Sequence, residues 1–197
     1  MTDEKRPYRM KRRAELSERT RRRITESAVA LHGTLGPAQT SITAIAERAG
    51  VRRSTVYRHF PDETALLSAC SAHWEAANPP PDLERWATID DPDERLATAL
   101  RELYAYYRRI ERMMENLLRD EELVPFIRQG LGGFREYLAA ARDILMAARR
   151  VRGATRRRTS AAIGHALAFG TWRSLAREQD LSDAAAAELM RRLVGAA

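Results

Sequence analysis

The chain has 197 residues, 44% hydrophobic and 31% charged, with 34 Lys+Arg against 27 Asp+Glu and a formal net charge of +7. That is enough apolar material for a packed core in one moderate or two small domains, and a single cysteine, Cys70, excludes an internal disulfide framework. No apolar run approaches the roughly 20 residues of a membrane span, and no apolar segment follows the basic N-terminal stretch as it would in a secretory leader, so the expectation is a soluble cytoplasmic protein.

The charge is unevenly placed. Residues 1–60 carry 14 Lys+Arg against 6 Asp+Glu, whereas the remainder carries 20 against 21. Arg outnumbers Lys 32 to 2, as GC-rich codon usage produces, but codon bias does not explain why acids are scarce only at the front. The asymmetry points to a polyanion met by the first part of the chain and a different task for the rest.

In chain order, residues 1–16 lack apolar periodicity and read as a flexible basic arm. Its Arg6, Arg9, Lys11, Arg12 and Arg13 suit either DNA phosphates or an adjacent minor groove, with a disordered, non-specific tail as the alternative. A first helix is expected from about Ser17 to His32, with Ile24, Ala28, Leu31 and Leu35 at helical spacing. Gly33, Gly36 and Pro37 break it. Ser41 is placed to cap a short second helix whose stripe is Ile42, Ile45, Ala46 and Ala49. Gly50 ends that helix, a third starts near Arg53, and Asp62 caps a fourth carrying Leu66, Leu67, Cys70 and Trp74 on its apolar face.

Three consecutive prolines, Pro79 to Pro81, cannot continue a helix, and a domain boundary is expected there. Beyond them every apolar stripe still has helical spacing: Leu96, Leu100, Leu103, Tyr104 and Tyr107; Met113, Met114, Leu117 and Leu118; Phe134, Tyr137, Leu138, Ala141, Leu145 and Met146. The stretch RRVRGATRRR reads as a solvated loop. Two final helices are expected at about 156–178 and 182–195, the second capped by Ser182. The fold class is all-α, with no alternating strand.

Two short helices around Ala49-Gly50-Val51 make a helix-turn-helix. At 100° per residue, Val56 and Phe60 share the side of the third helix that faces the second. Arg53 and Tyr57 share one flank, Ser54 and Arg58 the opposite face, and Thr55 and His59 the other flank. A helix lying in the major groove needs this arrangement: one apolar seam for docking, with the rest of its girdle polar. Arg53 suits a bidentate contact to guanine, Arg52 a base or a phosphate, Ser54 and Thr55 base edges or a thymine methyl, and Tyr57, Arg58 and His59 phosphates. Thr43, on the second helix, joins them as a DNA-binding candidate. The alternative is an ordinary solvated helix face.

The stretch SITAIAERAGVRRSTVYRHFPDETALL resembles the DNA-binding signature of TetR-family transcriptional regulators, through Ala46, Ala49-Gly50-Val51, Thr55, Tyr57, His59-Phe60 and Leu66-Leu67. The resemblance implies a three-helix DNA-binding domain (residues 17–61), a linking helix (62–78) and a C-terminal helical domain for effector binding and dimerisation (79–197). Two positions depart from the family pattern. Arg52 stands where a small residue, often Ser, caps the recognition helix. Glu63 stands where a lysine usually lies near backbone phosphate.

In the C-terminal half, Tyr104, Tyr107, Met113, Met114, Leu117, Phe126, Phe134, Tyr137, Leu138 and Trp172 are candidates either for a ligand-pocket lining or for plain core. Tyr104, Tyr107, Met114, Leu117, Phe134, Tyr137 and Trp172 carry the ligand-binding expectation, with a small apolar or aromatic effector preferred. The small residues Ala162, Ala166 and Gly170, with Leu189, Met190, Leu193 and Val194, suggest a homodimer interface, as a pseudo-palindromic DNA site would require.

Four dispersed histidines and no ligand spacing argue against a metal, and GLGG at Gly130–Gly133 follows no strand. No catalytic residue, metal or cofactor is expected. Three readings follow: a ligand-responsive homodimeric repressor, a DNA-binding regulator or architectural protein without an effector, and, lacking any catalytic constellation, a helical-bundle enzyme with a basic appendage.

Overall fold

The computed structural model describes the backbone of residues 5–147 and 149–197; the side chains of residues 5–7 and 9 lie outside the description. Ten α-helices run α1 (Lys5–Thr34), α2 (Ile42–Arg48), α3 (Arg53–His59), α4 (Glu63–Ala77), α5 (Leu83–Ala87), α6 (Pro92–Asp120), α7 (Pro125–Met146), α8 (Gly153–Leu167), α9 (Phe169–Arg173) and α10 (Asp183–Gly195), with no strand among the described residues. The chain divides into two compact units: residues up to Asn78 together with Arg112–Gln129, and Pro79–Glu111 together with Gly130–Ala197.

The first unit is built on one apolar cluster. Ile24 and Ala28 from α1, Ile45, Ala46 and Ala49 from α2 and its cap, Val56 and Phe60 from α3 and its cap, and Leu66 and Cys70 from α4 are all buried. The caps expected from the sequence are present: the Ser41 hydroxyl accepts from Ala44 N–H at 3.1 Å and the Asp62 carboxylate from Ala65 N–H at 2.7 Å, each bond satisfying an orphan helix donor.

The first helix starts at Lys5, not Ser17. Between residues 5 and 16 there is no apolar stripe, yet the segment is rich in Arg, Lys, Ala, Glu and Leu, all good helix formers. Pro7 falls within the first turn, where its missing N–H costs nothing. Lys11, Arg12 and Arg13 therefore stand on a helix; the arm's Arg6 and Arg9 side chains and residues 1–4 lie outside the described residues. Leu35, expected on the helix stripe, falls beyond its end and is exposed.

Arg112–Gln129 joins this unit through a buried polar knot. Asn116 Nδ2 donates to the His32 carbonyl at 2.9 Å, Arg119 Nη2 to the Leu35 carbonyl at 2.7 Å, and Ala38 N–H donates to Asp120 Oδ2 at 3.0 Å. Arg119 pairs with Asp120 at 2.8 Å, and Asp120 is only 1% exposed. Gly36 passes over this pair at φ 95° and ψ 156°, a conformation reserved for glycine. Burial works against the Asp120 carboxylate, but the hydrogen bonds from Arg119 and Ala38 outweigh it, and its pKa lies below the ordinary range. His32 is driven the same way by desolvation alone, its pKa falling to about 4 against the pull of Asp120.

The second unit packs Trp86, Leu96, Leu100, Leu103, Tyr104, Tyr107, Leu145, Ile163 and Trp172 as fully buried side chains. The loop expected around RRVRGATRRR is shorter than the sequence suggested, because α8 begins at Gly153. The single helix expected over 156–178 is broken at Ala168, whose backbone is extended, and it ends in a π-helical turn at Ser174–Glu178. The break is stabilised by side-chain hydroxyls: Thr171 donates to the His165 carbonyl at 2.7 Å, Tyr104 to Ala166 at 2.9 Å and Tyr107 to Leu167 at 2.6 Å. These are carbonyls that a continuous helix would have paired for itself.

Candidate nucleic-acid interface

The turn between α2 and α3 is fixed by two backbone hydrogen bonds. Gly50 N–H donates to the Glu47 carbonyl at 3.0 Å and Val51 N–H to Ala46 at 2.9 Å, the paired 5→2 and 6→1 bonds of a glycine-terminated helix. Gly50 sits at φ 62°, in the left-handed region that side chains resist. Val51 then packs against the apolar cluster, so the turn is closed by its backbone and anchored by its apolar flank.

Val56 is 0% and Phe60 1% exposed, and this pair docks α3. Burying side chains of this size contributes about 1.5–3 kcal/mol each, enough to hold a seven-residue helix that could not form alone. The rest of α3 faces outward: Arg53, Ser54, Tyr57 and Arg58 are exposed, Thr55 and His59 half-buried, and Arg52 is exposed just ahead of the helix. Arg53 and Tyr57 meet on the flank that the 100° spacing assigned them, with Arg53 Nη2 3.4 Å from the Tyr57 hydroxyl. Thr43 is exposed on α2.

Both departures from the family signature have visible consequences. Arg52 occupies the N-cap position and makes no side-chain cap bond, leaving the first-turn donors of α3 without the oxygen a Ser would offer. Glu63 is the first residue of α4 and exposed, where the helix dipole favours a carboxylate.

Sequence reading missed Arg21. Its Nη1 donates to the His59 carbonyl at 2.6 Å, and its guanidinium lies 4.2 Å from the centre of the Phe60 ring. The residue thereby clamps the C-terminal end of α3 to α1. The signal was available: Arg21 is three residues before Ile24, on the inward stripe that continues to Ala28 and Leu31. Burial, and then the positive charges of Arg58 and Arg21, hold the His59 pKa below its ordinary value despite Glu18.

Of the residues expected to line a ligand site, Met114 and Leu117 belong to the first unit, and the other five to the second. Those five are linked by ring contacts. Tyr107 stacks near Tyr104 at 6.4 Å and lies 5.9 Å from Trp172 and 6.3 Å from Phe134, which is 6.0 Å from Tyr137. Their polar ends are taken: Tyr137 donates to the Pro81 carbonyl at 2.9 Å and Trp172 to Asp183 at 2.9 Å. Burial pushes the Tyr104, Tyr107 and Tyr137 hydroxyl pKa values upward. A concavity of ≈ 610 Å³ in the same unit lies between α5 and α6, bordered by Arg85, Thr98, Arg101 and Glu102, and none of the seven candidates lines it. Among the described residues no three His, Cys, Asp or Glu side chains are grouped to hold a metal ion.

Comparison with known proteins bears on the same segment. Residues 24–70 match the family model described as bacterial regulatory proteins, tetR family. Solved structures align over nearly the whole chain at low identity. A TetR-family transcriptional regulator from Mesorhizobium loti is 18% identical with a TM-score of 0.64, covering 91% of this chain and 95% of its own. NalD, the secondary repressor of the MexAB-OprM efflux pump in Pseudomonas aeruginosa, is 22% identical with a TM-score of 0.60, covering 91% and 96%. FadR from Bacillus subtilis, solved with stearoyl-CoA, is 18% identical with a TM-score of 0.59, covering 87% and 96%. No curated protein matches the chain.

Proposed function

We propose that the chain is a DNA-binding transcriptional regulator of the TetR family, a homodimeric, ligand-responsive repressor that reads a pseudo-palindromic operator through α3. The observation that carries this reading is the division of α3 into a buried Val56–Phe60 seam and an outward girdle of Arg53, Ser54, Tyr57 and Arg58. In it Arg53 reads a guanine, Arg52 a base or phosphate, Ser54 and Thr55 base edges, while Thr43, Tyr57, Arg58 and His59 hold the backbone.

Dimerisation is supported by α10. Leu189 and Leu193, one turn apart, are 38% and 53% exposed, while Met190 and Val194 turn into the protomer's own core. Ala166 is wholly buried as well, which leaves the two leucines, with the half-buried Ala162 and the exposed Gly170, as the self-association face. An effector that binds the second unit shifts the protein between DNA-competent and DNA-incompetent states by its differential affinity for the two. The apolar and aromatic composition of that unit favours an apolar or aromatic small molecule. A second reading, regulation without an effector, draws on the ring-to-ring packing and satisfied hydroxyls of Tyr104, Tyr107 and Tyr137.

The test is binding of the full chain to a duplex recovered by selection from a random library, beside a scrambled duplex. Arg53→Ala lowers the specificity ratio about 5–150-fold, the equivalent of a lost bidentate base contact, and changes affinity for the scrambled duplex little. An unchanged ratio refutes the assignment of Arg53, and a wild-type protein that does not distinguish the duplexes refutes sequence-specific reading. A thermal-shift panel of apolar and aromatic compounds, stearoyl-CoA included, separates the effector reading from its alternative.

A further inference from the structure

The near-neutral balance of the second half conceals a further asymmetry. Residues 61–197 carry 20 Lys+Arg against 21 Asp+Glu, yet residues 144–177 hold eight Arg and no acid, and six of the eight fall within residues 149–158. Sequence spacing puts this stretch in a solvated loop, but α8 begins at Gly153, so Arg156, Arg157 and Arg158 stand on a helix with Arg152 as its N-cap residue. The fold uses two of the six. Arg149 pairs with Asp93 at 3.0 Å and donates to the Pro92 carbonyl at 2.8 Å. Arg158 donates to the Ala197 carbonyl at 3.1 Å and to the Thr155 hydroxyl at 3.3 Å. The other four, Arg150, Arg152, Arg156 and Arg157, are exposed and form no ion pair among the described residues. Arg156 N–H donates to the Arg152 carbonyl at 3.3 Å, which sets these two one turn apart, a spacing at which like charges work against a helix.

What surrounds the four arginines selects their occupant. A protein interface is anchored by apolar and aromatic side chains, and a peripheral membrane surface by an apolar face that inserts. Between Leu123 and Leu189 no large hydrophobic side chain is exposed among the described residues, so neither kind of partner finds an anchor here. A duplex backbone needs none: charge holds it, without base preference, and the planar guanidinium grips a phosphate through two parallel bonds. From Arg152 to Arg157 the cations run about 7 Å along α8, and Arg150 extends them into the preceding loop, a row that suits successive phosphates better than one small anion. We propose that Arg150, Arg152, Arg156 and Arg157 form a second surface for the sugar–phosphate backbone of double-stranded DNA, on the unit that carries no helix-turn-helix, so that a protein already on its operator holds a further DNA segment without reading its sequence. Ala162, of the proposed self-association face, lies about 8 Å beyond Arg157 along α8, so dimerisation through that face leaves the row uncovered.

The test uses the full chain with Arg150→Gln, Arg152→Gln, Arg156→Gln and Arg157→Gln combined, since Gln retains helix propensity and all four positions are exposed. Each protein is loaded with one equivalent of the duplex selected from a random library, carrying one dye, and a scrambled duplex carrying a second dye is then added in excess at a series of salt concentrations. Two-colour sedimentation velocity detects a species that holds both duplexes. The wild type is expected to form it. Each phosphate contact contributes about 0.9 to the slope of log K against log salt, so uptake of the second duplex through two to four contacts falls with a slope of about 2–4. The variant is expected to bind the selected duplex as the wild type does, within about twofold, and to take up the second duplex at least about tenfold more weakly. Arg150→Gln with Arg152→Gln alone, ahead of the body of α8, loses an intermediate share. A wild type that forms no two-colour species at low salt overturns the proposal, as does a quadruple variant that forms it equally well, which is the outcome if protein association joins the duplexes. A wild type that does not prefer the selected duplex defeats the sequence-specific reading instead. The scrambled duplex alone then decides this proposal, and an equal salt slope for wild type and variant overturns it. An unchanged thermal midpoint and helical circular dichroism keep a folding defect from imitating the result.

Discussion

Gly36→Ala tests whether the polar knot at the end of α1 is as constrained as its geometry requires. At φ 95° and ψ 156°, any other residue carries about 1–3 kcal/mol of backbone strain. The new Cβ would also fall on Arg119 Nη2 and Asp120 Oδ2. Arg119 is half-exposed and can swing into water, surrendering its 2.7 Å bond to the Leu35 carbonyl and its pair with Asp120. Asp120 is buried and cannot move without breaking its bond to Ala38 N–H. Hydrogen bonds to charged groups contribute about 1.5–3 kcal/mol each. The loss is then at least about 1–3 kcal/mol of strain if only Arg119 yields, and about 2.5–6 kcal/mol if Asp120 also gives up its bond to Ala38 N–H, a large share of the roughly 5–15 kcal/mol typical of a domain. Urea denaturation at pH 7, followed by helical circular dichroism, measures it. Gly33→Ala is the control: its Cβ would meet Met113 Cε at an ordinary 3.5 Å near the end of α1, and it should gain about 0.5–1 kcal/mol. A Gly36→Ala protein within about 0.5 kcal/mol of wild type refutes the reasoning.

The same knot makes stability depend on pH. The His32 pKa lies at about 4 in the folded chain against 6.5 for the free side chain, so the unfolded state binds the extra proton and stability falls as pH drops from 6.5 towards 4. The loss is on the order of 3 kcal/mol, and His32→Gln should flatten that limb in urea titrations at pH 7 and pH 5. Tyr107→Phe strips the Leu167 carbonyl of its 2.6 Å partner and leaves a buried acceptor unpaired, costing about 1–3 kcal/mol by chemical denaturation; no loss would mean that the break at Ala168 does not depend on that hydroxyl. If the Tyr57 hydroxyl holds a phosphate, as proposed, Tyr57→Phe should weaken binding to selected and scrambled duplexes alike in gel-shift or anisotropy titrations.

The helix-turn-helix was legible residue by residue because every signal there is local. Ser41, Gly50 and Asp62 act within four residues of themselves, and the Val56–Phe60 seam follows from helical spacing. Arg21 stayed hidden because its partner is the His59 backbone carbonyl, 38 positions away, and a carbonyl leaves no mark in a side-chain pattern. The knot of Asn116, Arg119 and Asp120 with His32, Leu35 and Ala38 was unreadable for the same reason. It is also why Arg112–Gln129 belongs with the N-terminal segment although a proline run separates them. The start of α1 was misplaced by looking for an apolar stripe, which a solvent-surrounded helix lacks. The break at Ala168 has neither a proline nor a glycine at its centre; hydroxyls from Tyr104 and Tyr107, some 60 residues upstream, compensate it. Aromatic residues at helical spacing gave the second unit's core without saying whether the rings would meet or leave room between them.

The most direct measurement is the affinity of the full chain for a duplex selected from a random library and for its scrambled counterpart, titrated against salt. A sequence-reading α3 on a basic head predicts at least about a thousandfold preference for the selected duplex, with affinity for both falling steeply as salt rises. Equal affinity for the two duplexes would contradict it.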